Sequence, residues 1–135
     1  MVRLNKNRLS QKQFGKLFEQ LNHTLGVLSE KETGYFLSEL LGQEERIMLA
    51  KRLAIIILLL EGRSLYRISN DLKISSATAD KIRDKLENNE YDHLITSLGK
   101  NKKEYFSILE TLDSILHLGG ALPHYNGLDR YKHLK

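Results

Sequence analysis

Residues 40–88 read LLGQEERIMLAKRLAIIILLLEGRSLYRISNDLKISSATADKIRDKLEN, an apolar helical run followed by two short helical patterns with a tight turn between them. Apolar residues fall at Leu65, Ile68, Leu72, Ile74, Ala79 and Ile82, with small Ser69 one step after Ile68. Two helices that cross steeply through a three- or four-residue turn must seal a small triangular core, and this spacing supplies one. Ile68 and Leu72 lie one turn apart on the first helix, Ala79 and Ile82 share a face of the second, and Ile74 plugs the turn. The pattern is that of a helix-turn-helix over residues 64–88. Lys73 stands where many such motifs carry glycine, so it must reach the turn conformation without glycine's freedom.

Start signals agree with the apolar positions. Ser64 caps the first helix, LYRISNDL, and Ser75 or Ser76 caps the second, ATADKIRDKLEN. Upstream, Gln43–Glu61 forms the longest helix, opening with Glu44 and Glu45 at the positive end of its dipole and stopping at Gly62. Ile47, Met48, Leu49, Leu53 and the run from Ile55 to Leu60 wrap most of its circumference, so several helices must surround it. A monomer can supply them; a dimer with interlocked helices supplies them more readily. The longest apolar run, Leu53 to Leu60, falls far short of the ~20 residues that cross a bilayer, which predicts a buried helix and no membrane.

Further out, Ser10 caps a helix reaching Leu28, with Phe14, Leu17, Phe18, Leu21, Leu25 and Leu28 at helical spacing. Ser29 and Glu32 have capping-box spacing and open a second helix that carries Tyr35, Phe36, Leu37, Leu40 and Leu41 before Gly42 stops it. On the other side, Asn88-Asn89 marks a break, and Tyr91, Leu94, Ile95 and Leu98 form a short helix ending at Gly99. Lys100 to Lys103 reads as a turn, and a last helix runs from Tyr105 to Leu118 before Gly119-Gly120. The expected organisation is a basic arm over 1–9, a single all-α domain over 10–118, and a flexible, basic tail over 119–135.

Composition sets the outer bounds. A 135-residue chain that is 41% hydrophobic and 28% charged suits one folded domain. With no cysteine, disulfides and thiolate metal sites are excluded and a reducing cytoplasm fits. MVRLNKNRLS lacks the apolar run of a signal peptide. One proline in the whole chain suits continuous helices, and a net charge of +4 permits a nucleic-acid partner.

Catalysis needs a converging nucleophile, base and orienting group, and nothing of that kind is spaced here. His23, His93, His117, His124 and His133 lack metal-ligand spacing, and Gly119-Gly120 and Gly127 lack the strand and lysine of a phosphate loop. The expectation is a non-enzyme without metal or cofactor. A double-stranded DNA partner, by contrast, needs base-reading side chains early on the second motif helix and cations around it. Ser75, Ser76, Ala77, Thr78, Asp80 and Lys81 occupy that face, and the hydroxyls and methyls there suit base edges and the thymine methyl. Arg63, Arg67, Lys73, Lys81, Arg83 and Lys85 are the candidate phosphate contacts. Asp80 and Asp84 repel phosphate unless they accept from a cytosine amino group or are neutralised by Arg83, Lys81 or Lys85.

The run ELLGQEERIMLAKRLAIIILLLEG, with RSLYRISNDLKISSATADKI after it, resembles the Trp repressor family. The residues that carry the likeness are Glu45-Arg46, Arg52, Gly62 and Ala77-Thr78. The resemblance implies an all-helical bundle, an interlocked homodimer and a transcriptional regulator that places one recognition helix per subunit in successive major grooves. That family's archetype holds L-tryptophan between two arginines beside a glycine. Arg52 matches the first arginine, whereas the second falls on Lys81, the glycine on Ile82 and a nearby serine on Lys85. Lysine lacks the planar fork of arginine and Ile82 adds bulk, so the expectation is a related branch without the tryptophan switch. The competing expectation is a protein-interaction module in which the helix pair is a scaffold and Asp80 and Asp84 face a partner.

Overall fold

The computed structural model describes residues 8–116, and these are all-α: seven helices and no strand. They are α1 (Gln11–Gly26), α2 (Glu30–Leu40), α3 (Gln43–Leu60), α4 (Leu65–Leu72), α5 (Ser76–Glu87), α6 (Asp92–Lys100) and α7 (Lys102–Leu116). Residues 1–7 of the expected arm, and His117 and Leu118 with the whole expected tail, lie outside the described residues. The chain divides into two compact units, Met1–Arg46 and Ile47–Lys135.

In the first unit the helix starts are written locally. Ser10 Oγ accepts from the Gln13 amide at 3.1 Å while Gln13 Oε1 accepts from the Ser10 amide at 2.8 Å. Ser29 and Glu32 repeat the reciprocal pair at 3.2 and 2.9 Å. Each box satisfies two backbone groups that a helix end would otherwise strand. Neither α1 nor α2 buries a side chain, and Phe14 and Phe18 stack with ring centroids 6.2 Å apart.

Gly42 behaves differently from the expected helix stop. Its amide donates to Glu45 Oε1 at 2.8 Å and its carbonyl accepts from Arg46, so it opens α3 rather than closing α2. Gly62 does close α3 as expected. With φ at 84° it lets its own amide reach Leu59 O and the Arg63 amide reach Leu58 O, the two reverse bonds of a Schellman motif.

The core belongs to the second unit. Ile55, Ile56, Ile57, Leu58 and Leu60 of α3 are buried with Ile68 of α4, Ile82 and Leu86 of α5, Ile95 of α6, and Tyr105, Leu109 and Leu112 of α7. Only the C-terminal half of α3 is enclosed in this way. Ile47, Leu49 and Leu53 keep 45%, 46% and 40% of their surface, so the described residues do not surround the helix along its whole length. The α6–α7 connection is also tighter than the expected four-residue turn. Asn101 alone separates the helices, its Nδ2 donating to Ser97 O at 3.0 Å, and α7 begins at Lys102 because lysines are good helix formers.

Among the described residues no helix is long and apolar enough to cross a membrane.

Candidate nucleic-acid interface

α4 and α5 pack on each other across Lys73, Ile74 and Ser75. Ser64 Oγ accepts from the Arg67 amide at 3.3 Å and opens α4. Ser75, not Ser76, opens α5, its Oγ accepting from the Thr78 amide at 3.1 Å. Between them Lys73 takes φ 55° and ψ 53°, the left-handed conformation that the absent glycine would have adopted freely. That turn lets the Ile74 amide reach back to Ser69 O at 3.1 Å. Ile68 and Ala79 are fully buried, Ile82 is 5% exposed, and Leu72 and Ile74 are half-buried against the same core. The small core expected from the spacing is therefore assembled, and Leu65 at its edge is half-buried.

With Ala79, Ile82 and Leu86 facing inward, α5 turns Ser76, Ala77, Lys81, Asp84 and Lys85 to solvent. Ser75 and Thr78 are less available than the sequence expects. Their hydroxyls lie 2.8 Å apart and bond each other, and Thr78 is half-buried. Ser76 is left as the exposed hydroxyl of the first turn.

The cations divide into two groups. Arg63 is mostly buried, its side chain 12% exposed, and its guanidinium donates to Asp71 Oδ2 at 3.2 Å. Arg83 sits among three carboxylates, Asp80 at 2.5 Å, Glu87 at 3.8 Å and Asp84 at 4.0 Å. Both guanidiniums are committed within the chain, which removes them from the freely presented positive charge. Arg67, Lys73, Lys81 and Lys85 are exposed and form no ion pair among the described residues. Asp80 finds its neutralising partner in Arg83, whereas Asp84 is held only at the limit of ion pairing.

Three features at this end of the molecule are not among the sequence candidates. Tyr66, beside Arg67 on α4, is 76% exposed; its outward position follows from the inward ones at 65, 68 and 72. Lys51 Nζ donates to Lys73 O at 3.4 Å, joining α3 to the turn. Glu61 is 2% exposed and accepts from the Tyr105 hydroxyl. A polar residue inside an otherwise apolar run is the signal that marks Lys51, and an acidic residue at the negative end of a helix marks Glu61.

Around the position that the resemblance assigns to a ligand, Arg52 is exposed. Burial pushes the Tyr91 hydroxyl above its ordinary pKa, and the nearby Arg52 guanidinium opposes that rise while Glu90 adds to it. Ile82 is packed into the core. An open cleft of about 250 Å³ lies instead between α3 and α7, walled by Leu53, Ala54, Ile108 and Leu112 with Glu104 among its lining. Among the described residues, no group of three His, Asp or Glu side chains is placed to hold a metal ion.

No protein-family model, curated protein or solved structure matches this chain.

Proposed function

We propose that the chain is a sequence-specific DNA-binding transcriptional regulator of the Trp repressor type, in which α4 and α5 form a helix-turn-helix and a dimer reads a palindromic operator. The observation that carries this reading is the α4–α5 pair itself. Its three-residue connection, left-handed Lys73 and sealed core leave Ser76 and Ala77 of the first turn of α5 exposed, with Lys81 and Lys85 exposed further along the helix. Ser76 and the Ala77 methyl suit base edges, and Arg67, Lys73, Lys81 and Lys85 suit phosphates.

The dimer is supported by apolar surface that one chain leaves uncovered. Phe18 and Tyr35 keep 60% and 62% of their surface on helices that bury no side chain, and Ile47, Leu49 and Leu53 stand open on α3. Exposed apolar groups of this kind, taken in each unit by itself, suit association with a second copy. Two copies related by a two-fold axis would present two α5 helices to half-sites about one helical turn apart.

Selection from random duplex DNA at low salt tests the reading. Recovery of a symmetric motif is the expected result, and recovery of none sinks it.

One observation favours a second reading. Asp80, Asp84 and Glu87 lie around Arg83 on α5, three carboxylates to one guanidinium, and that local acidic excess suits a basic protein surface. A stable protein partner, together with no binding to duplex DNA of any sequence, would establish that reading in place of the first.

A further inference from the structure

Lys73 holds the left-handed conformation that an L side chain disfavours, and it does so at the point where the chain leaves α4 for α5. Something must over-determine that backbone. The Ile74 amide bond to Ser69 O acts from inside the pair. Lys51 acts from outside it: half-buried on α3, it brings its ammonium to 3.4 Å from the carbonyl oxygen of Lys73.

We propose that Lys51 is a positioning residue for the α4–α5 pair, its ammonium holding the Lys73 carbonyl so that the turn keeps its left-handed form. A cation donating to a carbonyl makes a stronger bond than a neutral donor. The bond also runs from α3, whose C-terminal half lies in the core, to the turn that leads into α5. Lys51 therefore contributes to DNA recognition without touching DNA. The proposal rests on reading α4 and α5 as the DNA-binding element, but its first readout requires no DNA, so the two can fail separately.

The experiment measures amide hydrogen exchange in full-length Lys51→Met, Lys51→Arg and Lys73→Gly, and in Lys51→Met combined with Lys73→Gly. In Lys51→Met the amides of Ile74 and Thr78, which bond Ser69 O and Ser75 Oγ, should exchange about three- to tenfold faster, with core amides such as Ile57 unchanged. Lys51→Arg should restore the slow rates. With glycine at position 73 the turn needs no external hold, so Lys51→Met should then have a smaller effect. Where DNA binds, Lys51→Met should lower affinity by a similar factor at every salt concentration. Unchanged exchange at Ile74 and Thr78 overturns the proposal. If the salt slope then also falls by about one, Lys51 is a direct phosphate contact instead.

Discussion

The Tyr105 hydroxyl donates to Glu61 Oε2 at 2.5 Å, joining the first turn of α7 to the residue that follows α3. Both side chains are buried, at 0% and 2% exposure, and the two residues are 44 positions apart. A carboxyl group in such a place depends on its donors, because water cannot replace them. Tyr105→Phe should therefore destabilise the protein by about 1–3 kcal/mol, read from the urea midpoint at unchanged m-value. A loss under ~0.5 kcal/mol would mean that the hydroxyl is dispensable to Glu61.

Lys73→Gly should raise stability. Relief of the left-handed backbone outweighs the greater entropy of glycine in the unfolded chain, for a net gain of about 0.5–1 kcal/mol in thermal unfolding. A drop in melting temperature would show that the lysine side chain stabilises the turn by more than its backbone strain costs.

Phosphate contact should separate Lys81 from Arg83. Lys81→Ala is expected to weaken binding to all DNA sequences alike and flatten the salt slope by about one unit, because an exposed, unpaired cation releases a counterion. Arg83→Ala should leave the slope almost unchanged, since Asp80, Asp84 and Glu87 already surround that guanidinium. Equal slopes for the two variants would remove the distinction between presented and committed charge.

L-tryptophan at millimolar concentration should neither raise the melting temperature nor produce a saturable heat. Ile82 occupies the core where a ligand ring would need space, and Lys81 offers no bidentate clamp for its carboxylate. A functional ligand at one hundred times its Kd would add about 2.7 kcal/mol. A micromolar titration that vanishes in Arg52→Ala would restore the sensor reading.

Acid should loosen the start of α2. The Ser29 amide and hydroxyl hold the Glu32 carboxyl below the ordinary glutamate pKa. Its folded value is thus the lower of the two, so its contribution is complete above the unfolded pKa and is lost as pH falls through the folded one. In an NMR titration Glu32 should titrate at lower pH than it does in the unfolded chain, with the Ser29 amide signal following the same midpoint. Titration at the unfolded value would mean that the capping box does not persist in solution.

Much of this architecture is legible locally. Serines at 10, 29 and 64 mark helix starts because a cap is a contact between residues three apart, and Gly62 marks an end because its conformation belongs to one residue. The inward face of α5 follows from the spacing of Ala79 and Ile82. What needed coordinates were contacts across elements. Arg63 is read from spacing as a phosphate contact, and its ion pair with Asp71, eight residues on in α4, is not visible there. The exposure of Ile47, Leu49 and Leu53 was hidden by the uniform apolarity of their helix, since periodicity cannot say where neighbours end. Arg83 was the intermediate case, with Asp80 three residues back already in reach along one helix face.

The paired capping boxes of α1 and α2 have a consequence for biosynthesis. These helices precede the core-forming residues along the chain, so they leave the ribosome first, and short capped helices form on the order of microseconds, far faster than ~5–20 residues per second of translation. Each helix can be visited early, yet nothing within them buries Leu17, Phe18 or Tyr35. The nascent chain thus exposes these apolar side chains before its core-forming residues emerge, on helices of 16 and 11 residues that packing does not hold.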